Sequence, residues 1–185
     1  MLWPFLYLPG DRLSEAELCA ARLDGDLIEV GEAFMPADAA ETRELRAGSL
    51  RALVPPKLAL ARVSAAWVHG ALSEPPARHT VQRMSSTRIH HVIDVRLVYR
   101  DQALCAADVV RVSGVAVTTP EKTLSDLVRG MYSGEDVGAV VEAMLAWQSG
   151  LAARTVEHLA RDLARQHKRP ALAFLRERAQ DEVTR

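Results

Sequence analysis

Residues 64–72, SAAWVHGAL, constrain the fold of this chain more than any other stretch. Pro55 and Pro56 lie upstream, and Pro75 and Pro76 follow closely. Proline ends helices and is kept out of central strands, so the apolar element between these pairs is bounded on both sides. Leu58, Ala61, Ala65, Val68 and Leu72 recur at spacings of three and four. That period predicts one helix over residues 57–72 with a core-facing stripe. Gly70 either ends this helix or permits close packing. Aromatic residues are only 5 % of the chain, so the core must be mostly Ala, Val and Leu. Trp67 falls beside the stripe, followed by His69. Both are expected to fix the packing of the two halves of the chain, which makes the stretch a joint.

The segment before it reads as a helix and a hairpin. Ser14 with Glu17 three residues on is a capping-box pattern. It opens a short amphipathic helix carrying Leu13, Leu18, Ala21 and Leu23, which ends near Gly25. The runs 27–30 and 33–35 flank Gly31 and Glu32, a type II′ hairpin signal. A two-stranded wing is marginal alone, and residues 2–8 are its nearest docking partner. Residues 41–53 predict a second helix stopped by Pro55.

After the joint, residues 79–83 are a candidate strand, and residues 92–99 alternate as a half-buried strand does. The runs 109–112 and 115–117, joined by Ser113 and Gly114, predict a hairpin. Thr119 as N-cap with Pro120 at the first helical position opens a helix bearing Leu124, Leu127 and Val128. Further helices are expected over 133–147, over 153–167 and from Pro170. The fold class is α+β: a reduced winged-helix-like helix-and-hairpin module, then a mixed sheet with C-terminal helices. The expected divisions are 1–54 for that module, 55–132 for the α+β core domain and 133–185 for its C-terminal helical part.

Overall charge is −1 and names no partner, but its distribution is uneven. Residues 11–46 hold ten acids against Arg12, Arg22, Arg43 and Arg46. Residues 51–100 hold only Glu74 and Asp94 against Arg51, Lys57, Arg62, Arg78, Arg83, Arg88, Arg96 and Arg100. Both are either ordinary solvated faces or an acidic front beside a basic face that meets an anionic partner. Arg83, Arg88, His90, His91, Arg96 and Arg100 are the candidate DNA- or partner-binding residues.

Other chemistries have little support. Cys19 and Cys105 are far apart, form no CxxC and read as buried structural cysteines in a reducing, cytoplasmic setting. The first ten residues lack a basic leader and are broken by Pro4 and Pro9, so neither a signal peptide nor a membrane span is expected. HxxxH, HExxH, GxSxG, the P-loop and GxGxxG are all missing. No metal, cofactor or catalytic residue is expected. Asp94 and Asp126 form a distant acid pair that could serve a metal-dependent nuclease, but Asp126 reads more simply as a helix-face residue paired with an arginine or capping a backbone group.

The segment order LSEAELCAARLDGDLIEVGEAFMP, SAAWVHGAL, PPARHTVQR and VRLVYRDQALCAADVVRVSGVAVTTPEKTLSDL resembles the AbiEi family of antitoxin-like transcriptional regulators of type IV toxin–antitoxin systems. GVAVTTPEKTLSDL is similar to a family segment of the form Gly-x-x-Val-Thr-x-x-x-Arg-Thr-Leu-x-Asp-Leu, with Lys122 where Arg is common. The resemblance implies a winged helix that binds the protein's own promoter, a larger α+β antitoxin domain and a cognate toxin. The chain departs from it at the recognition-helix position, where Glu15, Glu17 and Asp24 face Arg22 alone, and on the wing, with Asp26, Glu29 and Glu32. The helices that ordinarily precede the recognition helix are replaced by residues 2–8. The expected function is an AbiEi-like antitoxin or regulator binding DNA, a partner protein or both. The alternatives are an interaction module without DNA binding, its acidic front meeting a basic toxin, and the nuclease-type enzyme.

Overall fold

A computed structural model describes residues 5–88, 94–162 and 166–184. The front module opens with helix α1 (Glu15–Leu23), held by the expected capping box: Glu17 N–H donates to Ser14 Oγ at 3.3 Å and Ser14 N–H to the Glu17 carboxylate at 2.8 Å. Strands β1 (Leu27–Val30) and β2 (Ala33–Pro36) form an antiparallel hairpin. Gly31 takes φ +56° at the first central position of the turn, as a type II′ turn demands. Tyr7 bridges Phe34 through two 2.9 Å backbone bonds, so the arm does dock on the wing. Leu18, Leu27 and Phe34 make a small core beneath α1, with Tyr7, Leu13 and Ala21 packed against it.

Helix α2 (Arg43–Ser49) is shorter than the expected 41–53, because the chain leaves it through tight turns ending at Val54. The larger correction is at the joint. Residues 58–60 form strand β3 (Leu58–Leu60), and helix α3 runs only over Arg62–His69. Leu58 and Leu60 face one side of a sheet and Ala59 the other, an alternation that the three-and-four spacing masked. Gly70 caps α3 in the left-handed conformation, φ +99°.

The other strands are β4 (His79–Arg83), β5 (Leu97–Arg100), β6 (Val109–Val112) and β7 (Val115–Thr118). The five-stranded sheet has the order β5-β4-β3-β7-β6. β3 is antiparallel to β4 and parallel to β7, β4 is parallel to β5, and β6–β7 is a hairpin. Ser113 and Gly114 both have positive φ at that hairpin turn. Of the predicted strand 92–99, residues 92 and 93 lie outside the described residues, and residues 95 and 96 turn before β5, with Asp94 accepting from Arg96 N–H at 2.8 Å.

Helix α4 (Pro120–Tyr132) begins at the Thr119 cap, as predicted. Ser133 does not open the next helix. Its hydroxyl donates to Gly130 O at 2.8 Å and closes α4, and α5 starts five residues later (Gly138–Trp147). α6 (Leu151–Arg161) and α7 (Lys168–Val183) complete a helical layer. α6 starts right after Gly150, and the last helix begins two residues before Pro170.

Two large cores meet at α3. The first joins Val30, Met35, Leu45 and Leu50 from the front to Leu58, Leu60, Val81, Leu97 and Val117 of the sheet, with Ala65, Trp67 and Val68 from α3. The second gathers Leu124, Leu127, Val141, Met144, Leu151, Leu159 and Leu175 on the helical side, with Ala66 from α3. The stretch read as a joint therefore supplies side chains to both cores. No helix among the described residues is long and apolar enough to cross a membrane.

Candidate binding surfaces

Trp67 is fully buried, beneath Gly31 of the hairpin, with Arg46 of α2 at 5.4 Å from its ring and His79 of β4 at 6.0 Å. Arg46 also donates at 2.6 Å to the carbonyls of Trp67 and Leu72, tying α2 to the middle and the end of the joint. On the opposite side, His69 Nε2 lies 2.7 Å from Thr118 O, and Trp147 stacks 5.9 Å from its ring. A carbonyl accepts, so Nε2 carries the proton and Nδ1 is left without a partner among the described residues. Burial lowers the basicity of both His69 and His79, which sit neutral in the interior.

The candidate cations do not share one face. Arg96 donates to Asp94 at 2.9 Å and to Glu32 of the hairpin turn at 2.6 Å. Side-chain and backbone hydrogen bonds from Arg96 pull the Asp94 pKa down to about 2. Arg100 reaches Glu135 at 3.0 Å on the other side of the sheet. Glu135 is shared with Arg62, whose Nη2 lies 2.6 Å away and whose Nη1–H donates to Asp126 O at 2.9 Å. Desolvation lowers the Arg62 pKa against the attraction of Glu135. Arg62 holds φ +55°, and a Cβ at Gly130 would run into its guanidinium. Lys122 and Asp126 form a buried pair at 2.8 Å one helical turn apart. This group, Arg62, Arg100, Lys122, Asp126 and Glu135, is a charged clamp locking α3 and β5 onto α4. Asp126 thus pairs with a lysine on its own helix, and the arginine binds its backbone.

Arg83 and Arg88 are different. They share one carboxylate, Asp101, with Arg83 at 2.7 Å. Desolvation works against the charged form of Asp101, but hydrogen bonds from Arg88, Arg83 and Tyr99 outweigh it and hold its pKa low. The strand pairing brings further cations to this end of the sheet. Met84 N–H donates to Lys57 O at 3.0 Å, so Lys57 adjoins the 84–88 loop. β3 and β7 run parallel, so the 113–114 turn lies at the same end, where Arg111 donates to Gly114 O at 3.1 Å. Arg51 follows α2, whose Gly48 lies against Ser113. Arg51, Lys57, Arg83, Arg88 and Arg111 are therefore gathered with Asp101 as their one carboxylate partner in ion pairs among the described residues. Glu44, whose carbonyl accepts from Ser113 at that turn, pairs with Arg43 at 3.5 Å. Lys57, Arg51 and Arg111 were not singled out as binding residues in the sequence because only the sheet register brings them together.

His90 and His91 lie outside the described residues. Asp94 and Asp126 are engaged by different partners, Arg96 and Lys122, and do not form a joint acid pair. Among the described residues no three His, Cys, Asp or Glu side chains gather to hold a metal. Cys19 is half-buried and Cys105 is exposed, so the expectation of a buried cysteine fails at Cys105, which precedes the short 3-10 turn Ala106–Asp108 at the surface.

A family profile, the AbiEi antitoxin C-terminal domain, matches residues 58–146. No functionally curated protein matches the chain. Among solved structures, the crystal structure of the RV2827C protein from Mycobacterium tuberculosis is similar in fold, with TM-score 0.50 and 17 % identity over 94 % of this chain and 70 % of that one.

Proposed function

We propose that this chain, which belongs to the AbiEi antitoxin family through residues 58–146, is a regulator of toxin–antitoxin type that grips DNA phosphates with the basic end of its sheet. The observation that carries this reading is the placement of Arg51, Lys57, Arg83, Arg88 and Arg111 along one end of the five-stranded sheet, where Asp101, held by Arg83 and Arg88, is their one carboxylate partner among the described residues. Phosphate binding needs uncompensated cations at the surface, because affinity comes from releasing the counterions of the nucleic acid. The helix-and-hairpin module, where a winged helix would read the groove, offers Glu15, Glu17, Asp24, Asp26 and Glu29, all exposed. Its Arg22 is already paired with Glu29 at 3.3 Å. The role that a basic wing would serve therefore falls to the sheet end, whose planar arginines suit phosphate oxygens.

The test is binding to the chain's own promoter fragment and to a scrambled fragment over a salt series. Preference for the promoter, with affinity falling steeply as salt rises, supports the reading. Equal weak binding to both fragments overturns its DNA half. Stable co-purification with the product of the adjacent gene, together with absent DNA binding, would replace it by a direct toxin-binding antitoxin.

A further inference from the structure

Three donors at the basic end of the sheet converge on one carboxylate. Arg83 Nε–H donates to Asp101 Oδ1 at 2.7 Å, Tyr99 O–H donates to the same oxygen at 3.1 Å, and Arg88 Nε–H donates to Oδ2. Desolvation disfavours the charge of Asp101, but these bonds outweigh it and keep the carboxyl ionised at neutral pH. Guanidinium donors closed on a carboxylate present the hydrogen bonds that phosphate oxygens would take.

The two arginines hold Asp101 on different terms. The Arg83 side chain is 14 % exposed, and its Nη1 also donates to Ser85 O and, at 2.8 Å, to Ser86 O. It is the peg around which the 85–88 loop folds, helped by Ser85 Oγ, which accepts from Thr87 N–H at 3.0 Å. Arg88 stands at the end of that loop with its side chain 72 % exposed. An ion pair so open to water contributes little to stability, so Arg88 can change partner at small cost. Asp101 cannot follow it. Arg83 and Tyr99 retain its Oδ1, and Leu104 N–H donates to Arg83 O at 2.9 Å, which keeps the segment after β5 against the end of β4.

We propose that Asp101 is the resident anion of a phosphate site: a backbone phosphate of DNA takes Arg88 from it, and the Asp101 charge left beside that phosphate holds the affinity down. This rests on reading the sheet end as the phosphate-binding surface, and it adds a built-in brake to that surface. Carboxylate and phosphate compete for one guanidinium fork, and two like charges at close range repel.

Asp101→Asn removes the charge and keeps the size, and circular dichroism checks that the fold is unchanged; Asp101→Ser repeats the test should Asn disturb the loop. Duplex DNA binding at one low salt concentration should tighten at least about tenfold. The gain should be similar on promoter and scrambled fragments, because a phosphate contact carries no sequence information. In the Arg88→Ala background the same substitution should gain clearly less, since the exchanged arginine is gone. Unchanged or weaker binding by Asp101→Asn, or an equal gain with and without Arg88, overturns the inference and leaves the DNA reading standing. If no variant binds DNA, the DNA reading falls, and inorganic pyrophosphate becomes the probe. It should then raise the melting temperature of Asp101→Asn more than that of wild type. An equal rise, or none in either protein, overturns the inference as well.

Discussion

The clamp at α4 and the basic end of the sheet are built largely from one run of cationic sequence, yet they have opposite fates. In the clamp, Arg62 is 7 % exposed, Lys122 5 % and Asp126 4 %. Each charge there has a partner, because an unpaired charge in the interior costs several kcal/mol. At the sheet end Arg51, Lys57 and Arg111 are exposed to water and form no ion pair among the described residues, while exposed Arg88 shares Asp101 with Arg83. A cation count along the sequence therefore overstates what is available to a ligand. Arg62, Arg96 and Arg100 serve the fold, while the cations along the end of the sheet keep a surplus of positive charge.

If this division holds, variants at the two regions separate stability from binding. Asp126→Ala has the largest expected effect. It strands Lys122 in the interior and should cost about 3–5 kcal/mol in denaturant unfolding. An unchanged midpoint would mean that the clamp is not structural. Trp67→Ala removes the ring between Gly31, Arg46 and His79 and should cost about 3–5 kcal/mol. Melting like wild type together with lost promoter binding would instead make the joint a site.

A smaller effect is expected from pH. His69 and His79 are harder to protonate folded than unfolded, where the value is near 6.5. The unfolded chain then binds more protons, so their contribution is complete above pH 6.5 and is lost as pH falls through their lower folded values. The melting temperature should drop on acidification from this point, and His69→Gln should flatten the drop. An equally steep drop in both His69→Gln and His79→Gln would assign it elsewhere. The smallest stability effects belong to Lys57→Ala and Arg88→Ala, within about 0.5 kcal/mol of wild type. Each should nonetheless reduce the salt slope of promoter binding by about 1.

Much of the architecture was legible because it depends on local chemistry. The Ser14–Glu17 box, the Gly31 and Ser113–Gly114 turns and the Thr119–Pro120 helix start are set by a few adjacent residues, and all stand where their patterns place them. β3 was not legible. Leu58–Leu60 continues a helical spacing into α3, and only the slot between β4 and β7 makes it a strand. Ser133 satisfied a capping pattern but was drawn to the carbonyl end of α4 instead. The charge pairing was hidden for a similar reason. Asp101 and Glu135 lie just beyond and far beyond the basic run, so neither entered its charge balance. The basic end was only half visible, through Arg83 and Arg88, since Lys57 and Arg111 join it through strand register.

In the proposed function it is the sheet end, not the helix-and-hairpin module, that meets DNA. The most direct test compares promoter affinity of wild type, Arg51→Glu/Lys57→Glu and Glu15→Lys/Glu17→Lys at one low salt concentration. The sheet-end reversal should lose at least about a hundredfold in affinity, and the α1 reversal should bind equally well or more tightly. Loss of binding on reversing α1, with the sheet-end variant binding as wild type, would contradict this reading.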